Sequence, residues 1–476
     1  MIKSIQIKNY RLFPADTQFE IDDLNIPDGS TQGSGLSIFV GENGCGKSTL
    51  LDALALPYVS FKADSFSLND LNDPTNDCEI EVLMGENFSY KATMPKVEYK
   101  GKGFSFKGGL RKQGSRQFFS STTVTDQKFI KADGENNPKD NSPDLRLSVN
   151  NPWAGPRFNE LEYLILDKNR TYQTKKGTFN ETRFDKIMEN FNFQYLQKED
   201  NPYDCNEGLK NVKAFDARGI TEGLKEAIEK FAEISGNQLK LKFIDSWKPF
   251  TNAFFGTEKD NLQTVLLNQL GSGYEMIFSL LYSYYLTKKE KRQLIVLIDE
   301  PELHLHPKLQ SDFIELLLEF SKDVQIILTS HSPLFVKQAM VNEQVLVKIL
   351  TKTEDSVQIA APDTSVLDYI SANEVNFVAF GLPTEEYHNE LYEQLFKKHA
   401  STNNIKPFDI EYFQTAKGES KGYPWKGNPN EVSLHTFLRN QIHHRADNGA
   451  PDIIGMEESI IKMRSFIIEE SQNQEN

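Results

Sequence analysis

The chain has 476 residues, a formal charge of −15 and 38% hydrophobic residues, which fits two or three domains with a core of normal size. The acidic balance argues against direct, constitutive nucleic-acid binding by an isolated subunit, although a local basic groove or a basic partner is compatible with it. Cys45, Cys78 and Cys205 match no zinc motif and no disulfide framework. The N-terminus has no apolar signal core, and the longest apolar run, Met276 to Leu286, is too short to span a bilayer. The expectation is a cytoplasmic protein with no membrane partner.

Residues Ile2 to Ile7 alternate as a half-buried strand does. After a Gly/Asp-rich turn, the apolar run LSIFV (Leu36 to Val40) leads straight into GENGCGKS, Gly41 to Ser48, and Ser48 to Ala55 reads as a helix. Strand, glycine loop and helix in that order are the context a phosphate loop requires. Gly41, Asn43, Gly44 and Gly46 let backbone N–H groups curl towards phosphate, Lys47 reaches the β- and γ-phosphates, and Ser48 offers a hydroxyl to Mg²⁺, with Thr49 beside it.

From about Glu79 to Asn151 the text is rich in Lys, Ser, Gly and Asn, as short strands and exposed loops are. The stretch Leu161 to Asn180 carries Lys168, Arg170, Lys175 and Lys176 on an expected strand and turn. That group reads either as a solvated basic loop or as an anion, nucleic-acid or subunit contact. Short helical patterns follow, including Gly223 to Ile234, and no heptad pattern lasts long enough for a coiled coil. LGSGYE (Leu270 to Glu275) is a small glycine turn at an expected helix start, where N–H groups and the hydroxyl of Ser272, next to Gly273, face outward.

QLIVLI (Gln293 to Ile298) and VQIIL (Val324 to Leu328) flank the helical run PKLQSDFIELLLEF, the pattern of a parallel βαβ unit. The first strand ends in Asp299 and Glu300. In a phosphate-loop enzyme an Asp there holds Mg²⁺ and the following Glu polarises the attacking water; the alternative is that both merely cap the next helix. The second strand ends in Ser330 and His331, and a lone histidine there reads either as a surface or core residue or as a switch near the γ-phosphate. Beyond Phe335 the chain reads as α-rich and polar, ending in a frayed tail, EESQNQEN.

The order of phosphate loop, LGSGYE, DEPELHLHP and TSHSP resembles the ABC/SMC-like P-loop ATPases, in the branch containing OLD-type and related anti-phage ATPases, over roughly residues 1–60 and 262–340. The C-terminal segments SANEVNFVAFGLPTEEYHNELYEQL and VSLHTFLRNQIHHRADN are similar to the PtuA-like ATPases of Septu and retron defence systems. The resemblance implies an α/β fold: an ABC-type head (1–78 and 262–345), an inserted lobe (79–261) and a mainly helical C-terminal region (346–476). It implies ATP and Mg²⁺ as ligands, with Ser48 and Asp299 on the metal, Glu300 and His331 at the reacting phosphate, and Ser272 and Gly273 presented to the nucleotide of a second copy. Partners follow: a homo-oligomer of at least two chains and an HNH nuclease subunit like PtuB, with nucleic acid reached through the complex. The glutamine that such ATPases place after the phosphate loop is not evident, and Asn69, Asp70 or Asp73 stand where it belongs.

Arg439, Asn440 and His444 resemble the Arg-x4-His motif of HEPN-type ribonucleases, with His435 and His443 close in sequence. That leaves three readings: a docking helix, a ribonuclease centre, or a partner contact. A DNA-repair ATPase is a further alternative for the whole chain.

Overall fold

Three strands are buried along almost their whole length, and the fold is built around them. They are β3 (Leu36–Val40), β12 (Gln293–Asp299) and β13 (Gln325–Ser330). Strands covered on both faces need continuous apolar text, which LSIFV, QLIVLI and QIIL supply. The computed structural model describes residues 1–59, 71–73, 75–84, 88–94, 105–112, 118–125, 161–166, 220–243, 253–259, 263–266, 270–289, 291–353, 356–363, 365–444 and 449–475.

The expected α/β architecture is present. The central sheet has the order β15-β14-β3-β13-β12-β8, with β8 (Leu161–Leu166), β14 (Leu346–Lys352) and β15 (Val357–Ala360); all neighbours are parallel except the β14–β15 pair. Helix α1 (Lys47–Val59) follows the glycine loop, α4 (Pro307–Phe320) joins β12 to β13 over the span read from its pattern, and α5 (Pro333–Val341) follows β13.

A second sheet, antiparallel, has the order β2-β1-β4-β5-β6-β7. In it β1 (Ile2–Lys8) pairs with β2 (Phe19–Ile21) and β4 (Cys78–Met84). Strand β4 buries every second residue, as a sheet with one face on the core does. Strands β5 (Phe88–Met94), β6 (Ser105–Lys112) and β7 (Phe118–Thr125) extend it. Gln325 links the two sheets: its amide donates to the carbonyls of Ile2 (2.6 Å) and Asn25 (2.8 Å) and accepts from Ile2 N–H (2.7 Å). Helix α2 (Ile220–Ser235) lies on α3 (Ser272–Lys289) through Phe231, which meets the Phe278 ring edge-on at 5.7 Å. Strands β9 (Lys240–Phe243), β10 (Ala253–Lys259) and β11 (Gln263–Leu266) form a small antiparallel sheet.

Besides β4 to β7 on the β1 sheet, two further segments expected outside the head contribute to its central sheet. Strand β8, at residues 161–166, hydrogen-bonds to β12, and β14 with β15 carries the central sheet on to Ala360. Parallel ladders join strands far apart in sequence, so position along the chain did not reveal these pairings.

The chain divides into two compact units, one of residues 1–335 and 342–360, the other of residues 336–341 and 361–476. The second unit contains helices α6 (Ala372–Phe380), α7 (Glu385–His399), α8 (Leu434–His443) and α9 (Ile453–Glu475). It also holds a short turn of helix at Ile405–Phe408 that continues as π-helix over Asp409–Ala416, and a hairpin of β16 (Tyr423–Trp425) and β17 (Asn428–Val432). Ser371, Thr384 and Ser433 cap three of the helices by accepting N–H groups of the first turn. The C-terminal tail is not frayed as expected. Helix α9 runs to Glu475, and Glu470 on it bonds His399 Nε2 at 2.8 Å and pairs with Lys417 at 3.3 Å. These contacts give a polar sequence a reason to stay helical.

Candidate nucleotide site

The glycine loop has the shape its residues were expected to give it. Gly41, Gly44 and Gly46 have φ of +146°, +80° and +102°, a region that side chains disfavour. Gly41 is the most constrained, since a Cβ there would lie 2.2 Å from the carbonyl oxygen of Leu350 on β14. Lys47 is buried at the head of α1, its amine donating to the carbonyls of Gly41 (2.9 Å) and Glu42 (2.8 Å). Burial lowers its pKa, and the nearby carboxylates of Glu300 and Asp299 oppose that shift.

The end of β12 lies beside the start of α1. Ser48 Oγ donates to Asp299 Oδ1 at 3.2 Å, and Thr329 Oγ1 on β13 donates to the same oxygen at 2.6 Å. The next residue, Glu300, has left-handed backbone (φ 46°, ψ 62°), held by its N–H bond to the Thr329 carbonyl at 3.1 Å. That turn aims its carboxylate at His331, whose Nε2 is 3.3 Å from Glu300 Oε1. Burial depresses the His331 pKa, helped by the charge of Lys47 and opposed by the pull of Glu300.

Two residues that sequence reasoning passed over belong to the same group. Glu302, in a one-turn 3₁₀ helix at Pro301–His304, accepts the backbone N–H of His331 with its carboxylate. Burial raises its pKa. His304, at the end of that turn, shares a 2.8 Å hydrogen bond through Nδ1 with Ser272 Oγ. The signal was the second glutamate and the first histidine of DEPELHLHP, which nothing in the spacing alone distinguishes from helix-capping text.

Ser272 opens α3 as expected, and Gly273 beside it has no room for a side chain: a Cβ would lie 2.2 Å from the His304 carbonyl oxygen. Asn43 and Gly44 are exposed on the loop, and Thr49 is buried in α1. The Asp73 carboxylate holds its own turn by accepting from Thr75 N–H (2.8 Å) and Thr75 Oγ1 (2.7 Å). Asn69 and Asp70, together with Lys168, Arg170, Lys175, Lys176 and Cys205, lie outside the described residues.

The C-terminal histidines do not form one group. His435 is fully buried and bonds Ser459 Oγ at 2.6 Å, whereas His443 and His444 are exposed at the far end of α8. Arg439 on the same helix donates to Asn440 Oδ1 at 3.5 Å. Among the described residues no three His, Cys, Asp or Glu side chains converge as metal ligands, and no helix is long and apolar enough to cross a membrane.

Residues 36–337 match the family described as "AAA domain, putative AbiEii toxin, Type IV TA system", which covers more than half of the chain. The chain belongs to this family of P-loop ATPases. It is 24% identical over 420 residues to the OLD nuclease of Thermus scotoductus, covering 81% of this chain and 72% of that protein. It is also 24% identical to the retron Ec83 probable ATPase of Escherichia coli, over 70% of this chain and 68% of that one. A shorter stretch of 55 residues is 44% identical to the Septu protein PtuA of Bacillus thuringiensis, covering 12% of this chain and 14% of that protein.

Proposed function

We propose that this chain is an ABC-type ATPase of a prokaryotic anti-phage defence system, acting in the cytoplasm. It binds and hydrolyses ATP at sites completed by a second copy and controls a nuclease partner of the HNH type. The observation that carries the ATPase reading is the meeting of Ser48, Asp299 and Thr329 beside the Glu300–His331 pair. Similarity to a Septu protein and to a retron ATPase supports the defence context.

The donor set suits Mg²⁺, a hard cation that takes oxygen ligands. The Ser48 hydroxyl and Asp299 carboxylate would hold it, where it would neutralise phosphate charge. Lys47 and the loop N–H groups hold the β- and γ-phosphates. Glu300 accepts a hydrogen bond from the attacking water and orients it in line with the bond to be broken. As the water oxygen bonds to the γ-phosphorus, the bridging P–O bond breaks and ADP leaves with the electron pair. His331 fixes the Glu300 carboxylate through its Nε2. Ser272 and Gly273 at the start of α3 approach the γ-phosphate held by the other copy.

Lys47→Ala is expected to abolish ATP hydrolysis by the purified chain. Wild-type protein alone is expected to leave RNA and DNA intact and to gain cleavage only when mixed with an HNH nuclease. RNA cleavage by the chain alone that disappears in both Arg439→Ala and His444→Ala would replace this reading with a ribonuclease centred on those residues.

A further inference from the structure

The five residues from Glu300 to His304 are tied at three points. Glu300 N–H bonds the Thr329 carbonyl, the Glu302 carboxylate holds the N–H of His331, and His304 Nδ1 bonds the Ser272 hydroxyl. Each tie reaches a different element: the end of β13, the residue after it, and the first residue of α3. The turn is short and 3₁₀-helical, with Pro301 at its first position, so displacement at one end is not absorbed within it. Glu300 stands at its head in left-handed backbone, which a non-glycine residue keeps only when its surroundings hold it there.

Gly273 adds an independent constraint. The closeness of its Cα to the His304 carbonyl leaves no space for a Cβ, so the start of α3 and the end of the turn move together or separate. Ser272 is thus bonded to the same short segment that carries Glu300.

From these contacts we infer that Glu302 and His304 are positioning residues, forming a relay that couples Ser272 to the Glu300–His331 pair within one chain. In the ground state the Ser272 hydroxyl is engaged with His304. When it turns to a γ-phosphate held by a second copy, it releases or redirects His304, and the turn resets Glu300 against His331. Hydrolysis in a chain's own site then responds to whether its Ser272 has engaged the other site. This rests on the composite-site reading proposed above. Burial of the Glu302 carboxylate favours a fixed role in this turn over one in solvent.

The test is a double-mutant cycle in kcat on the full chain, with ATP affinity measured separately by a fluorescent nucleotide. Ser272→Ala and His304→Ala are each expected to lower kcat about tenfold, His304→Ala with unchanged nucleotide affinity. The double variant is expected to be no slower than either single one. His304→Asn, which keeps a hydrogen-bonding group near the Nδ1 position, is expected to recover most of the rate, as is Ser272→Thr. The Hill coefficient for ATP is expected to fall towards 1 in His304→Ala. Independent, multiplicative losses overturn the relay, as does unchanged kcat in His304→Ala. The mass of Glu300→Gln with ATP separates the two ideas. If it associates while the losses multiply, the relay alone is wrong. If it stays monomeric, the composite site and the relay between copies fall together.

Discussion

His388 and His435 show how position decides what a histidine does in this protein. Both bond Ser459 Oγ, at 2.9 and 2.6 Å, and burial pushes both pKa values down, that of His388 from 6.5 to about 3. On its other edge His435 Nε2 faces Glu419 at 3.9 Å, with Lys462 also near. A histidine depressed in the folded state binds its proton mainly when unfolded. The stability it contributes is complete above about pH 6.5 and is lost as the pH falls below that value. Each of the two is expected to contribute a slope of up to about 1.4 kcal/mol per pH unit. Thermal melts on acidification below about pH 6.5 should show the melting temperature of the C-terminal unit dropping, with a shallower drop in His388→Gln. An identical slope in that variant would contradict the assignment. At this scale the placement of the phosphate loop beside Asp299, Glu300 and His331 was readable because each follows or ends a buried apolar strand of the same sheet. Glu302 and His304 were not, since a carboxylate holding a backbone N–H and an imidazole holding a serine have no fixed spacing.

At the scale of elements, α3 is tied to the site through the turn after β12. Its first two residues are set against the turn that follows β12, one by a hydrogen bond and one by lack of space. Gly273→Ala is therefore expected to displace the start of α3 and to cut ATP hydrolysis by more than about tenfold. The fold should persist, because Phe231, Phe278 and the Tyr284–Phe320 stack hold the rest of the helix. Unfolding of the variant, seen by circular dichroism, would show instead that the contact is needed for the head to fold; an unchanged rate would remove Gly273 from the site. The central strands and α4 were legible because burial on both faces, or on one helical stripe, dictates an unmistakable pattern. The pairing of β8 with β12 and of β14 with β3 was not, because a parallel ladder leaves no local mark on either strand. Helix α9 misled for the opposite reason: its last residues look like solvent-exposed tail, yet Glu470 is pulled down to about pKa 2, its bonds to Tyr412, His399 and Lys417 outweighing the effect of burial.

For the molecule as a whole, the phosphate loop and the Asp299–Glu300 pair are elements of one site, and Ser272 with Gly273 lies on the other side of the Pro301–His304 turn within the same chain. The function proposed above has one chain supply the phosphate loop and another the start of α3, which gives Ser272 and Gly273 a role at the nucleotide of a second copy. The most direct test measures the mass of wild-type chain and of Glu300→Gln, with and without ATP and Mg²⁺, beside their hydrolysis rates. The account predicts that Glu300→Gln binds ATP, ceases to hydrolyse it and accumulates as an ATP-dependent assembly of two or more chains, while wild type assembles and turns over. A Glu300→Gln chain that stays monomeric with ATP and hydrolyses it as fast as wild type would contradict both the role given to Glu300 and the shared site.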